Sequence, residues 1–497
     1  MKNKKIIIFF VAMAILILLF TSKYSILYPF NDWQDSNSFL TVARSMIDGK
    51  IVYKDIIEQK GPILYVIYMI GYIFSIWKNS GIFLLEVISL SIVFYYAYKI
   101  LKLFINTKYD FLFIPIFGVF ICTSYSFVHG GSAEEFCLPF LMISLYYFIY
   151  HFVKKELTYK QLFINGILSM IVALIKFSLL GFWFGFMAII FFDLIFKKQY
   201  KKAFISCIVF LSGMFLIGFI CIIYFLLNDA LNDFVYSYFL INAGSYAKES
   251  SNIFIRIVKC FYEGFINLGR NIGFLILTPF LIYSIFKIFK KTKTRIAIIS
   301  IFLLLFMGIY IGLRSYKYYT IPLLIFYIFV FIFFNIRYKE KIDKIKVNKN
   351  ILIILCVLGI GICSYCFANY RSYILTSQND YAQFRIANII KSESDNPTIL
   401  NYGSLDYGFY NILNIIPDCK YFHRMNISYD KLPDNYDVQK EYIVNKKVEY
   451  VIVGIREDNK KVLDDFNFIL NNYEIIYEDN QIYEKHNVHF YLFKLKK

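Results

Sequence analysis

The chain has 497 residues, 59% hydrophobic and 21% aromatic, with mean hydropathy +0.55 and formal net charge +18. Soluble domains run at about 45–50% apolar, so composition excludes an ordinary soluble enzyme. The charge does not point to nucleic acid either, because the lysines cluster in short runs between apolar segments, where the positive-inside rule accounts for them.

An apolar run to about Phe20 follows Lys4 and Lys5, and it reads as an uncleaved first span. The TSKYS that follows is a poor small-residue cleavage site. The basic start stays in the cytoplasm, so the loop 21–62 emerges outside. The apolar stretch 62–77 is short against the about 20 residues of a spanning helix. It reads as a helix at the outer interface, with Trp77 as its anchor.

Spans are expected at 80–101, 111–128 and 136–153, with lysines at each inner end. Residues 161–196 lie between two basic stretches, Lys154–Lys160 and Lys197–Lys202, so they must cross twice as a hairpin turning near Lys176. Further spans at 203–227, 271–288, 296–312, 319–335 and 350–368 follow, separated by an outer loop 228–270 and more lysine-rich turns.

The expected architecture is an α-helical polytopic membrane protein of about eleven spans, N-terminus in and C-terminus out. It comprises a transmembrane domain, 1–368, whose first outer loop is 21–79, and an extracytoplasmic domain, 369–497. In that tail TILNYG (398–403), VEYVIVG (448–454), YEIIYED (473–479) and HFYLFKL (489–495) read as strands. Residues 436–446 and 459–471 read as helices, which makes a small α/β domain. No glycine-rich phosphate loop occurs in it. Cysteine is scattered: Cys419 stands alone in the tail, which rules out a disulfide framework there, and Cys363 and Cys366 form an isolated CxxC at a helix end.

The polar residues that are awkward for a membrane protein all fall on the outer face. They are Asp32, Asp35, Glu58, Lys60, Glu134, Glu135, Lys176, Arg314 and Lys317. A carboxylate can take a proton from an acceptor hydroxyl. Lysine and arginine can hold a phosphate and stabilise its charge as a bond breaks. Asp48, before Gly49, and Asp55 read as turn residues. For Asp35 the bland alternative is a helix N-cap, for Lys60 snorkelling at the interface, and for Glu134 and Glu135 a favourable helix start.

The first outer loop reads D-x-x-x-F-x-x-x-A-R-x-M-x-D-G-K-x-x-Y-K-D-x-x-x-x-K-G-P from Asp35 to Pro62. With its preceding helix it resembles the integral-membrane GT-C glycosyltransferases, in the bacterial branch related to protein O-mannosyltransferases and the lipid A aminoarabinose transferase. The resemblance covers the layout of residues 1–335 and is most specific in 32–62.

It implies sugar transfer from a polyprenyl phosphate on the extracytoplasmic side, with inversion. It makes Asp35 the candidate catalytic base, with Asp32 as the alternative, and Lys60 of Glu58-Gln59-Lys60-Gly61-Pro62 a donor-phosphate contact. Glu134 or Glu135 matches the family's acid after span three, and Lys176 its hairpin lysine. RSYKYYTIP, Arg314 to Pro322, matches a segment in which histidine is usual where this chain has Lys317. That departure puts a histidine-dependent contact in doubt but keeps the positive charge.

The function expected is a glycosyltransferase of the bacterial plasma membrane acting on a glycan, lipid or protein of the cell envelope. No cofactor is expected, and a divalent cation is left open. The alternative is a transporter or flippase of lipid-linked glycans, which would need polar residues through mid-membrane and repeated halves. A non-catalytic envelope assembly protein is a third reading.

Overall fold

The computed structural model describes residues 3–107, 109–245, 252–344, 348–456, 466–483 and 486–497. In chain order the helices are α1 (Asn3–Thr21), α2 (Gln34–Ile47), α3 (Pro62–Ile73), α4 (Ser80–Leu101), α5 (Phe113–Cys122), α6 (Ala133–Val153) and α7 (Tyr159–Lys176). Then come α8 (Gly181–Phe196), α9 (Tyr200–Leu227), α10 (Leu231–Phe234), α11 (Ile253–Gly269), α12 (Ile272–Ile288) and α13 (Thr292–Tyr310). A tighter helical segment, Lys317–Tyr327, runs into α14 (Ile328–Arg337), followed by α15 (Lys339–Asp343) and α16 (Lys349–Cys366). The tail holds α17 (Ala382–Glu393), β1 (Ile399–Tyr402), α18 (Phe409–Leu413), α19 (Asp434–Val444), β2 (Tyr450–Arg456), α20 (Phe466–Leu470), β3 (Tyr473–Tyr483) and β4 (His486–Leu495).

These elements form two compact units. The first comprises Met1–Leu27, Trp77–Tyr224 and Lys248–Ser372. Its helices are apolar nearly all round, as expected where backbone groups must be satisfied inside each segment. Among the described residues, eight helical runs are long and apolar enough to cross a membrane, or nine if α11 and α12 count as one bent span.

The eleven expected spans exceed those nine by two, and two features account for that difference. One is α5, which is short. The other is the single apolar run Tyr159–Phe196, which holds both α7 and α8. Glu134 at the start of α6 pairs with Lys176 at the end of α7, while His151 at the end of α6 meets Asp193 at the end of α8 at 2.9 Å. The arms α7 and α8 are thus antiparallel, the hairpin that the flanking lysines demand.

Glycines set how closely this bundle packs. A Cβ on Gly166 would lie 2.0 Å from Phe210 O, and one on Gly213 would lie 2.2 Å from Phe163 O, so α7 and α9 meet backbone to backbone. α11 turns by 112° into α12. Cys260, Gly264 and Leu268 on one of its faces are buried, while Phe254, Val258, Tyr262 and Phe265 stand exposed on another.

The second unit comprises Tyr28–Ile76, Phe225–Ala247 and Tyr373–Lys497. The tail expected at 369–497 therefore shares a unit with the first loop. Its sheet has the order β1-β2-β4-β3, with β1 parallel to β2 and the other pairs antiparallel. β2 is buried from Tyr450 to Ile455, as a central strand covered on both faces should be. All four strands fall where alternation predicted them. α19 fills the helix expected at 436–446, and of the one at 459–471 only α20 lies within the described residues. α17 and α18 had no sequence-based expectation; Arg385 of α17 grips Asp479 of β3 through two hydrogen bonds of 2.6 and 2.8 Å.

Within this unit α2 is polar yet buried from Ser36 to Ser45. Ser36 meets the Tyr68 hydroxyl and Ser45 donates to Thr41 O, while Thr41 and Arg44 escape a desolvation penalty because the tail supplies partners. Thr41 Oγ1 donates to Asp406 Oδ2 at 2.7 Å, and Arg44 donates to Tyr410 O at 2.9 Å and to Asn414 Oδ1 at 2.7 Å.

Candidate functional site

In the unit that holds the tail, Asp35 lies half-buried in the first turn of α2. The N-cap is Trp33, with no side-chain cap, so Asp35 is not a capping residue. The positive end of the helix dipole favours its carboxylate there. Asp32, 4% exposed, lies just before the helix, and its charge acts on the Tyr381 hydroxyl.

Lys60 is fixed through its backbone. Its N–H donates to Glu58 Oε2 at 2.8 Å, and the Tyr53 hydroxyl donates to its carbonyl at 2.6 Å. The Tyr65 hydroxyl also donates to Glu58, so Glu58 organises the loop that carries the lysine. The Lys60 ammonium sits 5.5 Å from the centre of the Phe39 ring. Gly61 and Pro62 then open α3, with proline at the position where a missing N–H costs nothing.

His423, from the loop between α18 and α19, joins this group. It is 2% exposed and its Nδ1 lies 3.1 Å from Ser38 Oγ. Burial pushes the imidazole down to about 3, with the Asp35 charge opposing and the Lys60 charge assisting. It is therefore neutral at physiological pH.

In the unit of the long helices, Lys176 closes α7 and forms an ion pair with Glu134, which is 1% exposed. The ammonium also lies 3.6 Å from the centre of the Tyr319 ring. Glu135 does something else. Ser132 Oγ caps its N–H at 3.0 Å, and its own Oε2 accepts from Gly131 N at 2.9 Å. Its carboxyl interacts with that of Glu86, which is buried in α4 and accepts from Ser22 Oγ at 2.7 Å.

The intervening loop has His129, Gly130 and Gly131 all at positive φ, a strained course for the histidine. The His129 ring stacks on Tyr370 at 4.0 Å, and Lys23 lies 4.4 Å from the centre of the same ring. Burial, with the charges of Lys23 and Lys317, holds His129 well below its ordinary value. Lys317 lies 5.2 Å from the Tyr125 ring centre, and Arg314 is half-buried after Leu313, itself at φ +56°. Leu180, one turn past Lys176, begins an apolar cavity of about 540 Å³ between α8 and α9, lined by Trp183, Met187, Phe191, Phe210 and Met214.

The predicted residues thus fall into two groups. Asp32, Asp35, Glu58 and Lys60 belong to one unit, and Glu134, Glu135, Lys176, Arg314 and Lys317 to the other. The charges of Asp35 and Lys60 both act on His423, and Glu134 pairs with Lys176, while Glu135 turns to Glu86. Sequence reading missed Glu86 and His423. A carboxyl inside the apolar run 80–101 was itself a signal. His423 had none, since nothing local distinguishes it.

The fold is that of ArnT from Cupriavidus metallidurans. The structure described as bound to undecaprenyl phosphate matches with a TM-score of 0.57 and 11% identity, over 99% of this chain and 98% of that one. The apo structure matches with a TM-score of 0.59, again at 11% identity over 99% and 98%. This is the GT-C architecture expected from the first loop. The family model described as competence-induced protein Ccs4 N-terminal domain matches residues 1–387. No curated protein matches this chain.

Proposed function

The chain belongs to the family of the competence-induced protein Ccs4 N-terminal domain, and we propose that it is a membrane glycosyltransferase. It moves a sugar from a polyprenyl phosphate to a hydroxyl of a cell-envelope glycan, lipid or protein. The reaction takes place at the extracytoplasmic face of a bacterial plasma membrane. The observation that carries this reading is the ArnT-like fold over the whole chain, one of whose matched structures is bound to undecaprenyl phosphate. The acid in the first turn of α2, followed by the pinned Lys60, supports it.

In the proposed step Asp35 takes the proton of the acceptor hydroxyl as that oxygen bonds to the anomeric carbon. The bond from the anomeric carbon to the phosphate oxygen breaks, and its electron pair leaves with the polyprenyl phosphate. Asp32 is the alternative base. Lys60 holds the leaving phosphate in this reading, and Lys176, Arg314 and Lys317 remain the other candidate donor-phosphate contacts that the resemblance implies. Glu134 offsets the charge of Lys176 between turnovers. No cofactor enters the step, and transfer with and without a chelator tests for a divalent cation.

The test is transfer from undecaprenyl-phosphate-linked sugars in membranes, with expression matched. Asp35→Asn is expected to lower the rate by roughly 10²–10⁴-fold, the range of general base catalysis. Full transfer by that variant overturns the assignment. Movement of donor across the membrane with no glycosylated product would favour a flippase.

A further inference from the structure

The Ser38 hydroxyl has a single hydrogen to give. It donates that hydrogen to Gln34 O, one turn back in α2, at 3.0 Å. With that bond made, Ser38 Oγ is the acceptor toward His423 Nδ1, 3.1 Å away, and the tautomer that fits has the ring proton on Nδ1. Nε2 then carries a bare lone pair. It is buried and has no hydrogen-bond partner among the described residues. Such an orphan costs free energy unless another state of the protein fills it.

Asp35 and Ser38 are three apart in α2, so their side chains are neighbours on one face. His423 meets that face at Ser38. The charges acting on its ring are those of Asp35 and Lys60. Glu58 is engaged by Tyr65 and the Lys60 N–H, and Arg424 turns instead to the Tyr436 ring at 4.1 Å. As a carboxylate, Asp35 has no proton to offer Nε2. As a carboxylic acid it does.

We propose that His423 is a positioning residue whose Nε2 accepts a hydrogen bond from Asp35 only after Asp35 has taken a proton. This rests on the reading of Asp35 as the base. The proton passes from the acceptor oxygen to a carboxylate oxygen, the new O–H donates to Nε2, and the imidazole stays neutral throughout. The hydrogen bond stabilises the protonated carboxyl and so strengthens Asp35 as a base.

The test uses the full chain in lipid nanodiscs with ¹⁵N-labelled histidine, the His423 signal being assigned by its loss in His423→Gln. Asp35→Asn places an N–H donor where the protonated acid would stand. The Nε2 resonance is expected to shift in Asp35→Asn and to keep the wild-type position in Asp35→Ala. An unshifted signal in Asp35→Asn, or a wild-type ring protonated at Nε2, overturns the proposal.

This readout does not depend on transfer. Loss of transfer in Asp35→Asn with an unmoved Nε2 overturns only the role of His423, whereas full transfer overturns the base assignment beneath it. In the transfer assay His423→Leu is expected to lower kcat roughly tenfold with KM kept, and His423→Gln, whose amide oxygen can accept in place of Nε2, to restore most of it. Equal losses in the two variants at matched thermal midpoints also count against the proposal.

Discussion

Asp406 is fully buried in the tail, where Thr41 Oγ1 and Gly408 N each donate to it at 2.7 Å. Burial nevertheless dominates and lifts its carboxyl to about 6, against those two hydrogen bonds and the charge of Arg44. A folded-state value above the unfolded one, about 3.9, favours the fold at low pH and loses that contribution as pH rises through about 6. The thermal midpoint of the full chain in detergent is therefore expected to fall between about pH 4 and about pH 7 from this group. Asp406→Asn, neutral throughout, should remove that part of the slope; an unchanged slope would show that Asp406 does not titrate in the fold.

Residues of this kind mark the boundary of what a sequence discloses. Asp35, Glu58 and Lys60 were legible because they crowd into one short polar stretch between apolar runs. Asp406 and His423 were not, because their chemistry comes from contacts with Thr41 and Ser38, 365 and 385 residues away.

At the scale of elements, the helices follow from apolar runs bounded by lysines, and the tail strands from alternation. Most helix boundaries therefore come close to expectation, while α5 is shorter than the expected 111–128 and α11 occupies part of the stretch expected as the outer loop 228–270. How the helices pack was not readable, since a glycine in an apolar run says nothing of which neighbour it admits. Gly213 is such a case, with Phe163 O 2.2 Å from where a Cβ would stand. Gly213→Leu is expected to push α7 and α9 apart and destabilise the fold by ~1–3 kcal/mol, the usual cost of overpacking. The check is a lower thermal midpoint and less folded protein after extraction; a wild-type midpoint would mean the crossing can open without cost. α2 makes the converse point. Its polar sequence belongs to the expected outer loop, and it is buried where the tail brings partners for Thr41 and Arg44.

For the molecule as a whole, the tail and the first loop share one compact unit rather than lying in successive domains along the chain. A chain ending after Ser372 would leave Ser38, Thr41 and Arg44 without His423, Asp406, Tyr410 and Asn414. A buried arginine stripped of its partners is strongly destabilising. Limited proteolysis is expected to cut such a chain within 28–76, at sites protected in the full chain, and sugar transfer should be lost. Protection equal to that of the full chain would show that α2 and α3 hold together without the tail.

The sequence by itself determined the membrane class, most of the helices and strands, the polar stretch 32–62 and the GT-C resemblance. Each of these is written in runs, periods or motifs of neighbouring residues. Only the tertiary structure decided that Glu134 pairs with Lys176 while Glu135 turns to Glu86, and that His423 meets Ser38 of α2. Hydrogen bonds and ion pairs act over a few ångströms of space, and between distant segments that proximity exists only once the chain has folded.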